Sequence, residues 1–79
     1  MSNNHLINSN LNQYLFKNIF NTLIHKDQWE TIIEIFTLGI VDINIKDDRG
    51  RNSLFWAIHK NKTDIIKKLI SLNINTKEV

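Results

Sequence analysis

The stretch DDRGRNSLFWAIHKNKTDIIKKLISLNIN, residues 47–75, reads as a charged turn followed by two short helices. Charges crowd around Gly50, which supplies a backbone conformation that residues with a Cβ resist. Asn52 is placed to cap the helix SLFWAIHK, and Asn61 to end it, because a short amide side chain tolerates the left-handed conformation. Thr63 is expected to cap the next helix, DIIKKLISL, whose Ile65, Ile66, Leu69 and Ile70 form one apolar stripe. Asn73 then closes it.

The same pattern returns 34 residues earlier. The tripeptide Ile-His-Lys occurs at 24–26 and again at 58–60, and the same shift pairs Asn18 with Asn52, Ile32 with Ile66 and Leu38 with Leu72. Similar residues also coincide: Phe20 with Leu54, Ile35 with Leu69, Phe36 with Ile70, and Thr37 with Ser71. In this first half, Leu11, Leu15, Phe16, Ile19, Phe20, Leu23 and Ile24 recur at three- and four-residue steps, the spacing of one helix face. After a break at His25-Lys26-Asp27, Asp27 and Glu30 form a capping-box arrangement. Trp29, Ile32, Ile33 and Phe36 make a second stripe, ended by Gly39. Between the halves, VDINIKDDRGRN alternates apolar and polar residues before its charges, which predicts a short extended arm and a turn. A shared period of this size is the mark of stacked helix-turn-helix units.

With these residues in view, the chain resembles the ankyrin-repeat proteins, whose unit of about 33 residues is a β-turn plus two antiparallel helices. The family pattern D-x-x-G-x-T-P-L-H-x-A is met by Asp47, Gly50, Leu54 and Ala57, and its second-helix pattern by Ile65, Ile66, Leu69 and Ile70. GIVDIN at 39–44 is similar to the family link G-A-D-V-N with one residue added, which accounts for the offset of 34. Departures are specific: Asn52-Ser53 stands for Thr-Pro, Phe55 for the usual histidine, Leu23 for a small alanine, and no Asp-x-x-Gly turn precedes Asn18. The resemblance therefore implies an all-α fold, a short ankyrin-like helix-turn-helix solenoid with one β-turn or hairpin arm between its repeats. Length allows a single domain, and the polar, Asn-rich 1–10 reads as a flexible start; the resemblance implies a degenerate N-terminal repeat or cap at 11–44 and the better repeat with its tail at 45–79.

Composition narrows the function. Seventy-nine residues allow one small domain with a thin core, and without cysteine no disulfide supports it. Lack of cysteine fits a reducing, intracellular setting, and a cytoplasmic location is expected. Related repeat proteins occur in cellular hosts, intracellular bacteria and large viruses, so delivery into a host cell is an open alternative. No apolar run approaches the roughly 20 residues of a membrane span, and the uncharged opening MSNNHLINSN does not read as a secretion signal. Ten Lys and Arg against eight Asp and Glu leave a net charge of +2, a weak basis for binding nucleic acid. The abundance of Asn, Ile and Lys with no Pro fits an AT-rich coding sequence.

Candidate chemistry is sparse. His25 and His59 occupy equivalent corners, expected on the order of 10 Å apart on packed helices, while zinc needs three or four ligands within about 2.3 Å. His5 lies in the polar start. DDRGR has one glycine among charges and lacks the Lys-Ser/Thr helix start of a phosphate loop. No nucleophile, base and orienting group stand in a recognisable set, so neither an enzyme nor a cofactor is expected. Lys60, Lys62, Lys67 and Lys68 are the best hint of nucleic acid, yet Asp48 and Asp64 lie among them. The repeat shift also sets Lys68 beside Glu34, an exposed pair worth about 0–1 kcal/mol. Trp56 is assigned to packing, and Trp29 to packing or to a partner contact. What the resemblance implies is a non-catalytic protein-interaction module, its contacts carried by turn and inner-helix positions. Those are Lys46, Asp48, Arg49, Arg51, His59 and Lys60. An alternative is a remnant or cap of a longer array, or a unit that completes its stack by self-association, since such repeats generally need about three units.

Overall fold

Four α-helices account for the regular structure of the computed structural model, which describes residues 10–77. The flexible start expected at 1–10 lies outside the described residues, apart from Asn10, which opens the first helix. The helices are α1 (Asn10–His25), α2 (Trp29–Thr37), α3 (Ser53–His59) and α4 (Thr63–Ser71). α1 packs on α2, α3 packs on α4, and α2 lies against α4, so two helical hairpins meet through their second helices.

The repetition read from side chains is written into the backbone. Helix α4 begins and ends 34 residues after α2, and α3 ends 34 residues after α1. Both hairpin turns close alike: Asp27 N–H donates to Ile24 C=O and Gln28 N–H to Leu23 C=O, while Asn61 and Lys62 donate to Ile58 and Ala57. This paired bonding is a Schellman motif, which satisfies helix-end carbonyls and requires a left-handed residue just past the helix. Asp27 and Asn61 take that conformation at φ 57° and 59°, and Gly39 and Asn73 take it at 74° and 69° after α2 and α4. Beyond Gly39 the offset falls to 33. Asp42 Oδ1 accepts from Asn44 N–H as Asn75 Oδ1 accepts from Lys77 N–H, both at 2.9 Å, and Val41 and Ile74 are equally buried. The added residue therefore lies between Gly39 and Asp42.

Three local expectations are corrected. Asp27 does not form a capping box with Glu30: Gln28 precedes α2, no side chain caps it, and Asp27 ends α1 instead. At φ 57° its carboxylate reaches across to Lys62 Nζ at 3.4 Å. Thr63 likewise falls inside α4, with Lys62 in front and no side-chain cap. Only the Asn52 cap forms as read, Oδ1 accepting from Phe55 N–H at 2.9 Å.

The third correction is the arm between the hairpins. No strand forms among the described residues. A hairpin arm needs a strand partner for its outward N–H and C=O groups, and this linker pairs several of its own in turns and with the two hairpins. Asp42 and Asp47 each fold the chain into a turn, with Ile45 N–H on Asp42 C=O and Gly50 N–H on Asp47 C=O, both at 3.0 Å. Of the alternating apolar residues, Val41 and Ile45 are buried, while Ile43 and its polar neighbour Asn44 are both half-buried. Asp42 N–H also donates to Gln13 Oε1, and Asn44 Oδ1 accepts from Asn75 N–H, which ties the linker to both hairpins.

Phe16, Phe20 and Ile24 of α1 join Trp29, Ile32 and Phe36 of α2 in the core, with Leu54, Trp56, Ala57 and Leu69 from the second hairpin. The apolar face expected along α1 is split: Leu11, Leu15 and Ile19 stay exposed. In α4, of the four residues in the expected stripe, only Leu69 is fully buried. Trp29 is core, and neither its Nε1 nor Ser53 Oγ has a hydrogen-bond partner.

Candidate interaction surface

Asp47 organises the elbow at Gly50. Its Oδ1 accepts from the N–H groups of Arg49 and Arg51, each at 2.9 Å, and its Oδ2 from Arg51 Nε at 3.2 Å and Trp56 Nε1 at 3.0 Å. Gly50 turns at φ 78°, so that Asp47 N–H can bond Arg51 C=O at 2.8 Å. Burial raises the carboxyl pKa. The donors from Arg51, Trp56 and Arg49 outweigh it and hold the group below its ordinary value of 3.8. The carboxylate is thus a buried tie between the turn and α3, not a contact group.

From that tie a line of side chains runs down α3. Phe55 and His59 stand four residues apart on α3, the spacing of neighbours on one helix face, and Arg51, just before the N-cap, lies over the Phe55 ring. The Arg51 guanidinium carbon lies 4.5 Å from the Trp56 ring centre and 5.5 Å from that of Phe55. Phe55 stacks on His59 at 6.0 Å with the planes 6° apart. His25, from α1, meets Trp56 edge-on at 5.2 Å, and His59 does so at 5.7 Å. The repeated Ile-His-Lys corners therefore converge on one indole. Among the described residues, no three His, Cys, Asp or Glu side chains are grouped to hold a metal ion.

Of the six residues expected to bind a partner, Asp48, Arg49 and His59 are exposed, and Lys46, Arg51 and Lys60 are half-buried. Arg51 and His59 share the ring cluster, and Asp48 and Arg49 occupy the elbow beside it. Arg51 differs from expectation, since its Nε is engaged by Asp47 and its plane by two rings. Phe55 and His25 complete the surface above the buried Trp56 ring and were not assigned to it from sequence. For Phe55 the signal was its i, i+4 spacing with His59; His25 comes from the first helix and had no local signal. The Lys68–Glu34 pairing is replaced, across the hairpins, by Lys62 with Asp27.

No helix among the described residues is long and apolar enough to cross a membrane. No family model, curated protein or solved structure matches this chain.

Proposed function

We propose that the chain is a non-catalytic, ankyrin-type interaction module that grips a protein partner through the Gly50 elbow and the Arg51–Phe55–His59 line. The observation that supports it is the accessible run of guanidinium, phenyl and imidazole groups. Aromatic side chains are enriched at interfaces because they offer large contact areas with few rotatable bonds, and arginine because its planar guanidinium both stacks and donates several hydrogen bonds. Arg51 is held by Asp47 and by two rings and so has little entropy left to lose, and exposed Arg49 is suited to a carboxylate on the partner. Nucleic acid is the less favoured partner, since Lys62 is already paired with Asp27.

Affinity capture from the native cell followed by mass spectrometry tests the reading. Arg49→Glu with His59→Ala should abolish recovery of a partner retained by the natural chain, while far-UV circular dichroism stays the same. Arg51 is left in place because it supports the fold. Equal recovery by the variant and the natural chain would remove this surface from the site.

A further inference from the structure

Helix α1 carries a polar strip that runs alongside the line on α3. Gln13, Lys17, Asn21 and His25 stand four residues apart within α1, so they form a strip that winds slowly round it. Both ends of the strip touch the second half of the chain. Gln13 Oε1 accepts from Asp42 N–H of the linker at 2.9 Å, and His25 meets the Trp56 ring edge-on at 5.2 Å. Phe55 and His59 meet the same indole, so the strip borders their side of α3. Lys17 and Asn21, between the two end contacts, are exposed. The 34-residue shift that pairs His25 with His59 also pairs Lys17 with Arg51.

Charge divides between the helices. Neither α1 nor α3 contains an Asp or Glu, whereas α2 holds Glu30 and Glu34 and α4 holds Asp64. Lys17, Lys26 and Arg49 are exposed, and Lys60 is half-buried. Among the acids outside the helices, Asp47 is tied to Arg51 and Asp27 to Lys62, while Asp42 Oδ1 accepts from Asn44 N–H. Asp48, next to Arg49 at the elbow, is the exposed exception.

We infer that the partner is an acidic protein segment laid across both hairpins, its carboxylates meeting Arg49 at the elbow and Lys17 on α1. This occupant rests on the interaction module proposed above, whose surface it extends from α3 to α1. Cations gathered on one side attract such a segment and set its register. A nucleic acid fits less well. Its bases need ring faces to stack on, and the Phe55 ring already has His59 parallel to it and Arg51 over it. A carboxylate needs only the cations.

The probe is a dye-labelled peptide of alternating Glu and Gly, long enough to cross both helices, titrated with the full chain and followed by fluorescence anisotropy. It should bind in low salt, and its Lys-Gly counterpart should not. Lys17→Glu and Arg49→Glu should each weaken binding about fivefold or more. Lys67→Glu makes the same charge change on exposed α4 and should leave binding within about twofold. Equal losses from Lys17→Glu and Lys67→Glu would mean that only net charge is sensed, and would overturn the inference. Indifference to Lys17→Glu would do the same, as would tighter binding of a single-stranded oligonucleotide of equal charge, or no binding of the acidic peptide. Where capture through Arg49 and His59 still recovers a partner, the elbow stands and only the acidic occupant and the α1 strip fall. Should Lys17→Glu lower the helical circular dichroism, Lys17→Gln carries the same expected direction.

Discussion

Asp47 carries more of the fold than any other polar residue described, because four donors converge on a carboxylate that is 8% exposed. Removing its charge while keeping its shape, in Asp47→Asn, should cost about 2–3 kcal/mol, the range for hydrogen bonds to charged groups that are lost or left unsatisfied. The pH dependence has a definite sign. Since the folded pKa lies below the unfolded one, this stabilisation is complete above the ordinary value of 3.8 and is lost as pH falls through the folded value. Urea titrations at neutral and acid pH should therefore show a steeper acid loss in the natural chain than in the variant. Equal slopes would mean that the carboxylate contributes little. This role was half legible in the sequence. Asp-x-x-Gly announced the turn, but the bond to Trp56 spans nine residues and depends on how α3 leaves the elbow.

Among the elements, the helix ends decide the hairpins. A Cβ on Gly39 would meet nothing within 4 Å, so the cost of Gly39→Ala is conformational alone, about 1 kcal/mol for a left-handed residue. Gly39→Asn, which copies the equivalent Asn73, should recover part of that loss in a thermal melt; two equal melting temperatures would contradict the argument. Stop signals were readable because the left-handed conformation restricts residue type: Gly39, Asn61 and Asn73 all end helices as expected. Start signals misled at Asp27 and Thr63. A Schellman turn takes up the residues just before α2 and α4: Asp27 ends α1 instead of capping α2, and after the turn through Asn61 and Lys62 Thr63 is already the first residue of α4. The arm failed for a different reason, since alternation specifies which side chains face inward but not whether a second strand lies alongside.

Across the full chain, equivalent positions should not be equivalent in energy. Ile24→Ala empties a fully buried site and should cost about 2–5 kcal/mol, a large part of the stability available to so short a chain. Ile58→Ala, at the matching place, should cost less than about 1 kcal/mol in dilute solution, where that face is open to water. Urea midpoints measured side by side check the ratio, and similar losses would show that the second site is as enclosed as the first. This asymmetry could not be read from the repeat, because period and residue type match while the number of neighbours does not. The two tryptophans carry a last consequence. Each hairpin holds one, and their surroundings are chemically unlike: Trp29 is enclosed with no acceptor for its N–H, and Trp56 is bonded to a carboxylate and flanked by imidazoles. Single replacements by phenylalanine would each leave one tryptophan, in one half only, so that emission colour and quenching in the two variants track the melting of each half separately.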